Sequence, residues 1–381
     1  MKIKRDFLMP FFENNTQSQS DHLIQIFPLK EGDLNACRTT NWYCGAIPLH
    51  VLALTTTFLT FLLLCSGGLV TSKGVGMSVP DWPTTYGYNM FLFPMSRWVG
   101  GIFYEHSHRL LASGVGFMTL ILAGLTFIVE KRRWVRWMAL AAVIGVIAQG
   151  VLGGLRVTLY KDEIGIFHAI LAQSFFALLV IFSAVTSRRF CEGAWFSDSQ
   201  VASLRWLALA AVILTYGQLA VAATIRHAHL GLAIPDFPTA YGHLLPDISD
   251  KTIAVINADR LSHTMMPTTA TQVCLQMIHR GGAVLLFGVV LLLIIRSHKL
   301  FPLRHWTRSW SLLWGTLLLC QIMLGAWTIW SNKAADVATA HMAFGALMLG
   351  IAVLFTFRTF CGNQQRINRD GKDERDSRKE Y

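Results

Sequence analysis

Four histidines occupy matched positions in a duplicated, strongly apolar sequence: His108 and His168 in the first half, and His279 and His341 in the second. The register of the repeat holds closely, because His108 and His279 are 171 residues apart and His168 and His341 are 173 apart. A single histidine in a membrane helix is often only hydrogen-bonded to a neighbour, but four that recur in register favour a function. Paired imidazoles on facing helices are suitable axial ligands for porphyrin iron. The pattern therefore predicts one iron porphyrin in each half.

The segments around the histidines repeat as well. EHSHR at 105–109 corresponds to QMIHR at 276–280, and QGVLGG at 149–154 corresponds to QIMLGA at 321–326. One difference matters for chemistry, because Glu105 lies one helical turn before His108 and its counterpart is Gln276. A carboxylate beside a porphyrin can act as a base, or as the counter-charge to a cation developing at a ring substituent. The alternative is a structural glutamate that pairs with Arg109.

An arginine directly follows one histidine of each pair. These residues, Arg109 and Arg280, are expected near the membrane boundary. A guanidinium placed there can bind a haem propionate through two hydrogen bonds. The alternative is an arginine that only extends its charge to the interface. We expect both residues to bind propionates.

A second repeated block lies between the helices. GMSVPDWPTTYG at 76–87 corresponds to GLAIPDFPTAYG at 231–242, and prolines on both sides of each aspartate predict a rigid turn that seals one end of each half. The second half has the longer loop, roughly 244–270. His106 cannot share the helical face of His108, so it is not expected to bind the same iron. Further histidines on this side are expected to be solvated: His227, His229, His243 and His263.

The elements that position these residues are membrane helices. Of 381 residues, 53% are hydrophobic and 14% charged, whereas a soluble protein usually has about 25% charged residues. Apolar stretches near the ~20 residues needed to cross a bilayer predict an all-α membrane protein with eight transmembrane helices, four in each half. The predicted spans are roughly 49–71, 102–130, 134–156, 163–187, 203–225, 272–296, 307–330 and 336–359.

The net charge of +11 is a topology signal. Lysine and arginine cluster after every second helix, which places both termini in the cytoplasm and the Pro-Asp loops outside. All four histidines are then about one or two turns inside the outer boundary. No nucleic-acid partner is needed to explain the charge. Residues 1–48 are read as a cytoplasmic tail without a recognisable signal sequence, and residues 361–381 as a charged cytoplasmic tail. The seven cysteines predict no structural disulfide.

Taken together, residues 49–360 resemble the haem A synthases of bacterial and mitochondrial respiratory membranes. The resemblance is carried by EHSHR at 105–109, the two Pro-Asp blocks, the segment at 149–154 and the three further histidines. It implies two pseudo-symmetric four-helix bundles and the oxidation of a ring methyl of haem O to a formyl group through a hydroxylated intermediate. Unlike some members of that family, this chain has no cysteine pairs in the outer loops.

The resemblance also implies a role for each half. Residues 49–190 would hold the substrate, haem O, between His108 and His168, with Glu105 essential to the chemistry. Residues 203–360 would hold a permanent haem b between His279 and His341. A cell inner-membrane location follows, with lipid around the helices. The sequence leaves open the electron acceptor, the oligomeric state and the docking of a haem O synthase. The main alternative is a di-haem b electron-transfer cytochrome; a transporter is less favoured.

Overall fold

The computed structural model describes residues 46–195 and 199–361, and within them eight helices are long and apolar enough to cross a membrane. They are α1 (Ile47–Ser72), α2 (Gly100–Val129), α3 (Arg133–Thr158), α4 (Asp162–Thr186), α5 (Arg205–His227), α6 (Ala270–Leu300), α7 (Trp306–Trp330) and α8 (Ala335–Cys361). The prediction of an all-α, eight-span membrane protein is confirmed. The largest boundary difference is at the end of α6, predicted at 296 and observed at 300.

Local sequence accounts for several of the helix boundaries. Helix α6 begins with a capping box, in which the side chain of Thr269 accepts from the Gln272 amide and the Gln272 side chain accepts from the Thr269 amide. Helix α4 begins with Asp162 and Glu163, whose negative charges are favourable at the positive end of the helix dipole. Residues 130–132 are the whole connection between α2 and α3, so these two helices must run antiparallel.

Each set of four consecutive helices forms a closed ring of contacts. Helix α1 packs on α2, α2 on α3, α3 on α4 and α4 on α1, and α5 to α8 repeat this order. Each ring surrounds its own buried apolar cluster, one around Leu179 and Phe182 and the other around Leu293 and Phe355. The rings meet where α8 packs on α1 and α4, and where α4 packs on α5. These contacts are consistent with the two predicted four-helix bundles.

The long loop of the second half contains a helix that the sequence did not predict. This loop helix, Asp250–Ser262, is capped by Ser249, whose side chain accepts from the Thr252 amide. Its Arg260 is only 6% exposed. The Arg260 guanidinium donates to the carbonyls of Leu232 and Met266, which ties the loop helix to the Pro-Asp loop beneath it.

The expectation that the chain has no disulfide is wrong at Cys191, which is disulfide-bonded. Four other described cysteines are free: Cys65, Cys274, Cys320 and Cys361. Residues 1–45 and 362–381, which make up nearly all of the two predicted tails, lie outside the described residues.

Candidate functional site

The four histidines lie at one end of the bundle, called here the motif end because the two Pro-Asp loops are there. At this end α1, α3, α5 and α7 finish, and α2, α4, α6 and α8 begin. Each histidine lies about two turns inside the start of one of the latter four helices, as a rise of about 1.5 Å per residue shows. The depth that the sequence predicted for them relative to their helices is therefore observed.

The pair in the second half is closely apposed. The ring centres of His279 and His341 are 6.5 Å apart, with the ring planes at 85° to each other. Two imidazoles bound to one metal have ring centres roughly 6 Å apart, because each ligating nitrogen is about 2 Å from the metal. The spacing of this pair fits an iron held between the two rings.

The pair in the first half consists of His108 and His168, whose rings lie close enough for their charges to interact. In these two rings, as in His279 and His341, Nδ1 is buried without a hydrogen-bond partner. The rings of His168 and His341 lie close to the backbone of Gln149 and Gln321, which are equivalent positions of the repeat. Buried polar atoms without partners are costly and rare, so four in matched positions indicate rings arranged for a ligand.

Glycines on neighbouring helices make room for three of the rings. A Cβ atom on Gly67 of α1 would lie 2.9 Å from Cε1 of His108. A Cβ on Gly153 would lie 3.3 Å from Cε1 of His168, and one on Gly325 would lie 3.1 Å from Cε1 of His341. Gly153 and Gly325 are equivalent positions of the repeat. A side chain at Gly67 would displace the His108 ring, and one at Gly153 or Gly325 would require the neighbouring ring to shift by a few tenths of an ångström.

Glu105 is buried, with 4% of its surface exposed. Its Oε2 accepts a hydrogen bond of 2.9 Å from the Val79 amide, and its Oε1 pairs with Nη2 of Arg109 at 2.8 Å. The ion pair considered from the sequence as an alternative is therefore present. Glu105 accepts a hydrogen bond from its loop, whereas Gln276 donates to the other Pro-Asp segment. Its Nε2 donates to the carbonyls of Leu230 and Gly231.

Arg109 is almost fully occupied by the loop of the first half. Its Nη1 donates to the carbonyls of Asp81 and Thr84, and its Nη2 donates to the Val79 carbonyl and to Glu105. A guanidinium has five N–H groups, of which four belong to the Nη atoms. Only the Nε–H of Arg109 is left for another acceptor.

Arg280 is less occupied than its counterpart. Its Nη1 donates to the Thr239 carbonyl at 2.8 Å, and its Nη2 donates to the Asp236 carbonyl at 2.7 Å. By the same count, three N–H groups remain for another acceptor. The two arginines thus hold equivalent loops but differ in what they have left to bind a ligand.

The two Pro-Asp loops have the same internal structure. Asp81 accepts hydrogen bonds from the amides of Tyr86 and Gly87 and from the hydroxyl of Thr84. Although burial raises the pKa of Asp81, these hydrogen bonds outweigh it and hold the pKa below its ordinary value. Asp236 accepts from the equivalent residues Thr239, Tyr241 and Gly242, and its pKa is lowered for the same reason. The predicted rigid turns are therefore present.

One histidine was misjudged from the sequence. His227 was expected to be solvated, but it is the last residue of α5 and only 7% exposed. His229, His243 and His263 are exposed, as expected. His106 is fully buried, where it contacts Trp98 and Phe93 and lies 3.2 Å from the Thr85 hydroxyl. It contributes to packing beneath the first loop.

A family model described as cytochrome oxidase assembly protein, COX15-CtaA, matches residues 50–353. The chain belongs to this family. A haem A synthase of Bacillus cereus strain AH187 is 24% identical over 331 residues, covering 83% of this chain and 94% of the relative. A haem A synthase of Halalkalibacterium halodurans is 26% identical over 307 residues, covering 79% and 90%. One of Shouchella clausii is 26% identical over 253 residues, covering 66% and 76%. The family resemblance predicted from the motifs is confirmed.

Proposed function

We propose that this chain is a haem A synthase, an oxidoreductase that oxidises a ring methyl of haem O to a formyl group through a hydroxylated intermediate. The reaction completes haem A for terminal oxidases. Family membership supports the proposal. The observation that carries it is the asymmetry between the halves: both have a histidine pair at the motif end, but among the described residues there only the first half adds a buried carboxylate, Glu105.

In this proposal His279 and His341 hold a permanent haem b. Their 6.5 Å separation and their unpartnered nitrogens support this role. His108 and His168 hold the substrate, haem O. When bound, the iron porphyrins supply the redox chemistry. The chain supplies the ligands, the space beside Gly67, Gly153 and Gly325, and a site about two turns inside the helix ends.

Glu105 is the proposed catalytic residue. The Val79 amide and the Arg109 guanidinium fix both of its oxygens, so the carboxylate keeps one orientation next to His108. A carboxylate fixed in this way can stabilise positive charge that develops at the methyl carbon, or take up the proton released there. Gln276 has no negative charge, so the second half cannot do either in the same way.

Arg109 and Arg280 are proposed to bind propionates, with unequal capacity. Arg280 has three free N–H groups and can bind a carboxylate through two hydrogen bonds, whereas Arg109 has one free N–H group. The stronger propionate contact is therefore expected in the haem b half.

The isoprenoid tail of haem O needs an apolar surface. An apolar groove of about 460 Å³ lies between α4, α5 and α8, lined by residues that include Leu178, Ile181, Val212 and Leu349. Ser174, at the edge of this groove, is about 9 Å along α4 from His168. This distance is within the reach of an isoprenoid chain attached to a porphyrin near that histidine.

We further propose an inner-membrane location with both termini in the cytoplasm and the motif end outside. The clusters of positive charge at the other end of the bundle support this orientation. Haem O, which carries an apolar tail, then reaches the site from the surrounding lipid.

Replacing Glu105 by Gln tests the catalytic assignment. We expect Glu105→Gln to retain both porphyrins in the purified chain while haem A formation falls by about two orders of magnitude or more, because an amide cannot supply the charge. Absorbance spectra and chromatography of extracted haems measure the two effects. Glu163→Gln, at an exposed glutamate of α4, is the control. Normal haem A output from Glu105→Gln would contradict the proposed role.

The alternative function, a di-haem b electron-transfer cytochrome, is favoured by the matched histidine pairs alone. The two functions differ in the porphyrins that the chain contains. Mass analysis of the extracted porphyrins should find haem O, its hydroxylated form or haem A beside haem b. If the chain is produced in cells that make haem O and the extract contains haem b alone, the result would support the cytochrome.

A further inference from the structure

A cluster of charged and polar side chains lies next to the first histidine pair and has no part in the function proposed above. Arg156, in the last turn of α3, pairs with Asp162 at 3.1 Å, and Asp162 also lies 3.4 Å from Nε2 of His229. His227, at the end of α5, is more than nine-tenths buried. A Cβ on Gly165 would lie 2.9 Å from Nε of Arg156 and 2.5 Å from Nδ1 of His227. The two side chains therefore converge on one point.

Both side chains have unused hydrogen-bonding groups. Nε of Arg156 and Nδ1 of His227 are fully buried without partners. Nη1 of Arg156 and Nε2 of His227 make no hydrogen bond with a described residue and are not among the fully buried atoms. Arg156 lies within electrostatic range of both His108 and His168, and His227 within range of His168. The cluster thus places available donors beside the first site.

The described residues at the equivalent positions of the second half are arranged differently. In the repeat, Arg156 corresponds to Thr328 and His227 corresponds to Ser72. Ser72 accepts hydrogen bonds from the Arg226 guanidinium at 2.7 Å and from the Thr339 hydroxyl at 3.1 Å. The arginines that hold the Pro-Asp loops, Arg109 and Arg280, differ between the halves in the opposite sense. Arg280 keeps three N–H groups for a ligand in the second half, whereas Arg109 in the first half keeps only one.

We propose that Arg156 and His227 together bind a carboxylate of the tetrapyrrole held between His108 and His168. A guanidinium with a free Nη1 beside an imidazole is a donor set suited to a carboxylate. Because α3 supplies Arg156 and α5 supplies His227, the site of the first half is completed by a residue of the second half. The proposal rests on the proposed function, which places a tetrapyrrole there.

The test compares iron protoporphyrin IX with its dimethyl ester, which keeps the ring and iron but lacks both carboxylate charges. The full chain carries His279→Ala so that absorbance reports the first histidine pair. We expect the diacid to bind at least about tenfold more tightly than the diester, as one charge-assisted hydrogen bond implies. Arg156→Gln and His227→Phe should each reduce this ratio severalfold. Lys161→Gln removes an exposed cation from the connection between α3 and α4 and should leave the ratio unchanged.

The ratio is measured within each variant, so a partly unfolded fraction affects both ligands equally. Unchanged diacid preference in both Arg156→Gln and His227→Phe would overturn this proposal and leave the proposed function standing. Failure of the His279→Ala chain to bind either porphyrin, with its thermal unfolding intact, would contradict the proposed function and this proposal together.

Discussion

At the scale of single residues, the two halves differ in charge at positions that are otherwise matched. Glu105 accepts a hydrogen bond from one Pro-Asp loop, and Gln276 donates to the other. The sequence identified this difference because the repeat is in register there. It could not identify the partners, since these depend on how each loop folds over its helices. His227 was misread because α5 was predicted to end at 225 and ends at 227, which turns this side chain inward.

The glycines beside the histidines give a prediction at this scale. Gly67→Ala would place a methyl group 2.9 Å from the His108 ring, closer than ordinary Cβ contacts. Because the ring must move, we expect weaker porphyrin binding by the first pair, by about tenfold or more, with the second pair unaffected. Absorbance titration of the two sites measures this.

Gly150→Ala is the matched control, because a Cβ at that position meets nothing within 4 Å. It should bind porphyrin like the unaltered chain. Equal binding by Gly67→Ala would mean that the His108 ring does not need its present place.

At the scale of elements, the Pro-Asp loops are small folded units organised around one carboxylate each. Their rigidity was predictable from proline and aspartate spacing, whereas the loop helix Asp250–Ser262 was not. That helix is polar overall, and the two apolar side chains on its packed side, Ile253 and Ile256, give only a weak pattern. The buried Arg260 adds hydrogen bonds to carbonyls outside the helix. Interactions of this kind cannot be read from local sequence.

Asp81 should make the stability of its loop depend on pH. Its folded-state pKa is lowered, so the stability that it contributes is present above its unfolded pKa of about 4 and is lost as pH falls through the folded value. The temperature at which half of the chain is unfolded should therefore decrease as the pH is lowered through this acidic range. Scanning calorimetry at stepped pH values measures the change.

Asp81→Asn should unfold at a lower temperature at neutral pH, with a loss of about 1 kcal/mol or more, because charge-assisted hydrogen bonds to two amides are weakened. The part of the acid sensitivity due to Asp81 should disappear. Asp259→Asn, at a side chain that is 74% exposed, should behave like the unaltered chain. A full acid transition in Asp81→Asn would exclude Asp81 as a contributor to it.

At the scale of the whole molecule, hydropathy and repetition were sufficient to predict eight spans and their division into two sets of four. They succeed because bilayer thickness fixes the length of each apolar stretch. They could not predict which helices join the halves. That contact depends on details such as Arg226 of α5, which donates to the Gly68 carbonyl and to the Ser72 hydroxyl of α1.

The proposed orientation can be tested with a matched pair of cysteine variants. Lys161→Cys lies at the motif end and Arg304→Cys at the opposite end, and both native residues are exposed. In intact cells, a maleimide that cannot cross membranes should label Lys161→Cys above the background of the unaltered chain. Arg304→Cys should be labelled only after the membrane is opened. The reverse pattern would place the motif end in the cytoplasm.

The packing of α1 on α8, and of α5 on α4, has an evolutionary consequence. In the repeat, α1 corresponds to α5 and α8 corresponds to α4, so these two contacts are equivalent. An ancestor containing a single set of four helices would have left both surfaces uncovered, and two identical copies in the same orientation would cover them by associating side by side around a twofold axis. Gene fusion would then have freed each copy to diverge, and the present halves differ in charge beside their histidine pairs, with Glu105 in one and Gln276 in the other.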